Sequence, residues 1–322
     1  MRKKESERPI VILAAMGANL GIAVAKFVAA ALTGRSAMIS EGIHSLVDTA
    51  NEGLLLVGLD QSKRSPDAEH PFSYGKELHF WSFIVAIVIF GVGGGVAIYE
   101  GITHILAPTE LEDPTISYVV LGIAFILEGG SWFIAYRAVS SATAPGTSKI
   151  TAIRASKDPS VVTVLLEDSA ALAGLLVAGT GIFISHQLGD PRIDGLASMV
   201  IGAILAGVAV FLAAESRGLL VGERADPELI ERLREIAEAD EDVDSVEDIR
   251  SMHMGPDHVV VTLRVRFADR ESGHMARTIE RIEDRLRAED ERLGDVTMQP
   301  VNDGEREADR KKGSIVVDEP FR

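Results

Sequence analysis

Two places in this sequence set ionisable side chains inside apolar surroundings. His44 and Asp48 stand four residues apart in one apolar stretch, so an imidazole and a carboxylate share a helix face, one turn apart. Glu167 and Asp168 stand side by side in another, with apolar runs over 161–166 before them and 170–177 after. A charged group at mid-membrane depth costs about 2.5 to 3.5 kcal/mol even on the lenient insertion scale, so those that are retained are functional candidates. An imidazole with three carboxylates is a donor set for a divalent cation. Adjacent positions on a helix diverge by about 100°, so one of Glu167 and Asp168 is expected to face the first pair directly. The bland alternative is that His44 and Asp48 bond each other while Glu167 and Asp168 sit protonated beside a cavity. The second stretch holds no Lys or Arg to neutralise its acids, which favours the cation site.

The elements that must position these groups are membrane helices. About 20 apolar residues cross a hydrocarbon core about 30 Å thick, and six stretches qualify, roughly 9–33, 36–59, 79–101, 115–137, 161–185 and 193–215. The first is expected to be retained, because no small-residue cleavage site follows it before the next apolar run. Arg2, Lys3, Lys4 and Arg8 precede the first stretch, Lys63, Arg64 and Lys76 separate the second from the third, and Lys149, Arg154 and Lys157 the fourth from the fifth. The positive-inside rule therefore places both termini in the cytoplasm of a cell inner or plasma membrane. Gly91, Gly93, Gly94 and Gly95 let the third helix approach a neighbour closely, in the bundle or at a subunit contact. Glu41, Glu52, Glu100, Glu128 and Glu215 are expected nearer span ends or solvated faces.

After Gly222 the pattern is that of a water-soluble unit. Leu229, Ile230, Leu233 and Ile236 make one helix face, Val259 to Phe267 alternate apolar and polar, and Met275, Ile279, Ile282 and Leu286 make a second helix face. Short strands around 246–253 and 295–301 complete an αββαβ order. The chain is thus expected to be a polytopic α-helical membrane protein with six transmembrane helices over 9–217. A small cytoplasmic αββαβ domain of ferredoxin-like, heavy-metal-binding-like form follows over 223–302, and then a disordered charged tail over 303–322. Composition agrees with two unlike parts. The net charge is −16, from 48 acidic and 32 basic residues, and −11 of it falls on 221–322. Acid in excess disfavours a nucleic-acid partner, and the lack of cysteine excludes disulfides and thiolate metal sites.

The stretch 40–48 (SEGIHSLVD), the loop 70–77 (HPFSYGKE), six spans and the αββαβ unit together resemble the cation diffusion facilitator family; the stretch 165–171 (LLEDSAA) resembles its zinc transporter nine type branch. The resemblance implies a homodimeric exporter of divalent metal from the cytoplasm, most often zinc, driven by proton antiport, with the ion as cargo and no organic cofactor. It implies a transport site in which His44 and Asp48 form the first pair and Asp168 closes the second. Val164 stands where the family carries the other member of that pair, so either Glu167 substitutes or water completes the site, and Mn²⁺ or Fe²⁺ is a cargo alternative to Zn²⁺. The resemblance also implies a loop site at Asp67 and His70, where Tyr74 replaces a further His. His274 matches a metal ligand of the soluble domain, although Gln299 and Val301 replace its partners.

The implied mechanism is alternating access: deprotonated ligands take the metal on one side, and protons compete for the same lone pairs on the other. An unperturbed imidazole, with a pKa near about 6.5, suits that exchange. A membrane metalloenzyme would need a metal-held water and a general base, as in HExxH, and the sequence contains no such motif. A non-transporting membrane sensor or scaffold is the remaining alternative.

Overall fold

The apolar stretches form long helices, and the computed structural model describes residues 2–33, 36–108, 113–142, 159–268 and 272–301. The cationic loop around Lys149, Arg154 and Lys157, the side chains of Arg2, Lys3, Lys4 and Glu41, and the tail over 303–322 lie outside the described residues. The chain divides into two units, Met1–Val221 and Gly222–Arg322.

The first unit contains α1 (Arg2–Thr33), α2 (Ser36–Gln61), α3 (Glu77–Leu106), α4 (Thr115–Ala142), α5 (Pro159–Leu188) and α6 (Arg192–Val221). Among the described residues, five of these are long and apolar enough to cross a membrane by length and composition. The sixth, α2, runs for 26 residues and falls short in apolar content, because His44, Asp48, Asn51 and Glu52 all lie in its middle. A bundle that shelters these groups lets α2 span despite them. Its neighbours are α1 along one side and α3 along the other, while α4 packs on α1 and α5, and α6 packs on α3 and α5. The core draws on all six helices, with Ile12, Leu55, Leu78, Ala135, Val164 and Leu212 among its buried members.

Two features of α3 depend on its glycines. Between Ile89 and Gly95 the helix widens into a π-helical stretch of 7 residues. The other is a seam with α6. A β-carbon placed on Gly202 would lie 2.8 Å from the Gly94 carbonyl oxygen, and one on Gly101 would lie 2.6 Å from that of Gly195. Backbones in such contact have no space for a side chain, which is the close approach that small residues permit in membranes. Of the four glycines expected to pack in this way, Gly94 meets α6 and Gly91 has nothing within 4 Å.

The second unit is α7 (Pro227–Glu238), β1 (Val243–Gly255), β2 (His258–Phe267), α8 (Ser272–Glu289) and β3 (Leu293–Pro300). The sheet order is β1-β2-β3. A tight turn makes β1 and β2 antiparallel, whereas the α8 crossover makes β2 and β3 parallel. The alternation of β2 sends Val259, Val261, Leu263 and Val265 to full burial, against Leu229 and Leu233 of α7 and Ile282 and Leu286 of α8. Arg281 fastens α8 to the turn before β1 by pairing with Asp240 at 2.7 Å and with Asp242 at 2.8 Å.

Candidate functional site

The i, i+4 spacing on α2 places the His44 Nε2 atom 3.9 Å from Asp48 Oδ2. Both side chains are partly exposed. His44 lies against the π-helical stretch of α3, where a β-carbon on Gly93 would sit 4.0 Å from its Cε1 atom. Lys26 of α1 donates to Ser45 Oγ at 3.1 Å and acts electrostatically on Asp48 and Glu128.

Across from α2, Asp168 is buried, and its Oδ2 atom accepts a 2.7 Å hydrogen bond from Ser131 of α4. Glu128, one turn before Ser131 on α4, interacts with the same carboxyl. Glu167 points elsewhere. Asn51 donates to its Oε1 at 3.4 Å, and Asn19 of α1 donates to Glu52 Oε1 at 2.8 Å. The 100° divergence of adjacent positions therefore separates the two span 5 acids, with Asp168 toward Ser131 and Glu128 and Glu167 toward Asn51. Val164, at the position where the resemblance calls for a ligand, is buried in the apolar core.

The acids expected near solvated faces include two that are not. Glu52 is 1% exposed and Glu128 7%. Glu52 was detectable in the sequence, since 44, 48 and 52 continue one face at successive turns. Glu128 carries no local signal, because its partner Asp168 lies 40 residues away. Among the described residues, no group of three or more His, Asp or Glu side chains converges closely enough to hold a metal ion. Asp48, paired with His44, and Asp168 both act electrostatically on Glu128.

The two other expected sites have their ligands occupied by local structure. Asp67 Oδ1 accepts the backbone N–H of His70 at 2.8 Å and that of Glu69 at 3.0 Å, and its Oδ2 accepts the Tyr74 hydroxyl at 2.6 Å. The Tyr74 hydroxyl is the main reason the Asp67 carboxyl titrates below the usual carboxylate range, and the His70 N–H adds to it. The His70 ring packs on Tyr74 with centroids 4.2 Å apart. In the soluble unit, His274 Nε2 lies 3.0 Å from Asp242 Oδ1, and Thr278 donates to Asp242 Oδ2 at 3.0 Å.

His274, Arg281 and Thr278 together hold Asp242 down to about 2. A carboxyl depressed from its ordinary value near about 4 contributes stability above that value and loses it as pH falls toward the folded one. The soluble unit is therefore expected to keep its denaturation midpoint from neutral pH to about 5 and to lose stability between about 4 and 2. In Asp242→Asn the midpoint starts lower at neutral pH and the acid fall is shallower. Urea titration of the whole chain in detergent, followed by far-ultraviolet circular dichroism, checks this; an unchanged acid slope would refute it.

Residues 12–221 match the family model described as the cation efflux transmembrane domain, and residues 225–300 match the cation efflux protein, cytoplasmic domain. The chain is 35% identical over 246 residues to the proton-coupled zinc antiporter SLC30A9, mitochondrial, of Mus musculus, covering 76% of this chain and 43% of that protein. It is 35% identical over 220 residues to metal tolerance protein C4 of Arabidopsis thaliana, covering 68% and 48%. A more distant relative is the manganese efflux system protein MneP of Bacillus subtilis, 25% identical over 256 residues, covering 76% and 79%. The chain spans about half the length of the first two. The mitochondrial naming of the antiporters, shared by the frog and human proteins, overturns the expected placement in a cell inner or plasma membrane. What remains of that expectation is a multi-pass membrane protein.

Proposed function

Because the chain belongs to the cation efflux family, we propose that it carries divalent metal cations across a membrane, zinc foremost, in exchange for protons and by alternating access. The observation that supports this most is the His44–Asp48 pair on α2, with Asp48 and Asp168 both acting electrostatically on Glu128. His44, Asp48 and Asp168 are the ligands in this reading. The naming of the similar proteins as proton-coupled zinc antiporters supports both the exchange and the cargo. Protons and metal compete here for the same lone pairs, and Glu128 beside Asp168 is a further carboxyl that can take a proton.

Binding draws Asp48 and Asp168 onto one ion, Asp168 through Oδ1 while Ser131 keeps its Oδ2, and entry of M²⁺ displaces Lys26 or leaves it sharing the carboxylates. Manganese or iron is the alternative cargo, since a set with one imidazole has less preference for the borderline-soft ion, and MneP is named a manganese efflux protein. The molecule works as a homodimer, which lets two small soluble units support each other. It acts as a transporter and not as a hydrolase, because no HExxH motif supplies a metal-held water and base.

In proteoliposomes with an acid interior, Zn²⁺ uptake reported by an enclosed indicator is expected to stop when an ionophore collapses the pH gradient. Flux indifferent to that collapse sinks the exchange. No movement of Zn²⁺, Mn²⁺ or Fe²⁺ favours the sensor or scaffold.

A further inference from the structure

Buried polar atoms in apolar surroundings are costly unless paired, and α2 and α5 hold a set that the transport ligands do not use. Glu52 is 1% exposed, Asn51 2% and Glu167 8%. Asn19 holds one oxygen of Glu52, and Asn51 holds one oxygen of Glu167. Three oxygens then remain without a hydrogen-bond partner: Glu52 Oε2, Glu167 Oε2 and Asn51 Oδ1. The charged groups acting on Glu167 are Glu52, Asp48 and Asp168, and those acting on Glu52 are Asp48 and Asp168, all of them acids. Two glutamates, each steadied by an amide and each with a spare buried oxygen, make with the spare Asn51 oxygen a donor set that carries a charge of −2 once both carboxyls are ionised.

We propose that Glu52, Glu167 and Asn51 form a second cation site, all-oxygen in its donors and one helical turn from Asp48, which takes a hard divalent cation of the Mn²⁺ or Mg²⁺ class. Four residues along α2 correspond to about 6 Å, enough to separate two ions. Carboxylate and amide oxygens without imidazole or thiolate suit hard ions, whereas His44 gives the transport site a nitrogen donor. A divalent ion balances the two carboxylates; a monovalent one leaves a net charge in the core. Asn19 is a positioning residue, fixing Glu52 from α1. The inference goes beyond the transport reading and does not depend on it, because it concerns equilibrium binding and different side chains.

The test is Mn²⁺ binding to the purified full-length chain in lipid nanodiscs, followed by electron paramagnetic resonance. With His44→Ala as the background, so that the transport site has lost its nitrogen donor, Mn²⁺ is expected to bind, and Glu52→Gln or Glu167→Gln added to that background to weaken the binding at least tenfold. Mn²⁺ is expected to raise the melting temperature of His44→Ala but not of the double variants. Spin-echo spectra of the parent are expected to include bound Mn²⁺ without the coupling of a directly bound imidazole nitrogen, a readout that needs no variant to fold. No Mn²⁺ binding by His44→Ala, imidazole coupling on all the Mn²⁺ bound by the parent, or no weakening by the added Gln would each overturn the second site. Because transport is not measured, failure here leaves the transport reading intact, and failure of transport leaves this result standing.

Discussion

Zinc uptake into proteoliposomes is expected to fall by at least about two orders of magnitude in Asp48→Asn and in Asp168→Asn, and by about tenfold in Ser131→Ala. The ordering follows from what each group touches. Partners that orient a metal ligand are worth about ten- to a hundredfold, and Ser131 is such a partner, holding Asp168 at 2.7 Å. The aspartates supply the oxygens themselves. Asn matches Asp in volume and still accepts a hydrogen bond, so packing survives while the charge that balances the ion is gone. His44 is the companion case: His44→Asp puts an oxygen donor in place of nitrogen and is expected to shift preference from Zn²⁺ toward Mn²⁺ while retaining flux. Uptake of both ions, measured side by side and normalised to protein incorporated, decides these outcomes. Flux within twofold of the parent in either Asn variant would remove that aspartate from the site.

The seam between α3 and α6 supports the second large effect. Gly202→Val places branched carbons where a single β-carbon already meets Ile98 Cγ1 at 2.6 Å and the Gly94 carbonyl at 2.8 Å. Backbone cannot yield as a flexible side chain can, so the helices must part. The expected loss is about 3 kcal/mol, at the upper end of ordinary overpacking, read as a lowered midpoint of denaturation in mixed micelles. Gly207→Val on the same helix, with nothing within 4 Å of its β-carbon, is expected to change stability by less than about 0.5 kcal/mol. Equal effects at the two positions would mean that the seam does not hold the bundle together.

Much of this architecture is written in local pattern. The alternation from Val259 to Phe267 announces a strand with one buried face, and the structure buries those five side chains to 3% exposure or less. The His44–Asp48 spacing announces a shared face because it lies within one helix. Features that depend on distant residues are not announced. Glu128 reads as a solvated acid until Asp168 is brought to it from another helix, and His274 reads as a metal ligand until Asp242, 32 residues earlier, takes its ring. The pairing of Asp67 with Tyr74 lies between the two. They are seven residues apart, but their 2.6 Å bond depends on how the loop turns. Glu52 departs from its expected place for a different reason: distance to the span end says little about its depth, whereas the one-turn continuation from Asp48 carries the information.

The π-helical stretch from Ile89 to Gly95 has a consequence for how α3 tolerates change in length. Each residue that such a widening adds rotates everything after it by about 100° relative to an unbroken α-helix. Leu78, Ser82 and Val85 before it and Gly101 after it therefore belong to two helical wheels with different phases. The first turns its side chains into the core and the second turns its glycine onto α6. Deleting one residue from this stretch would restore a regular helix of ordinary pitch and keep it fully apolar, yet it would swing Gly101 off Gly195 and put a larger neighbour against that backbone. The widened turn acts as a phase adjuster, letting one continuous span satisfy two partners whose faces do not line up.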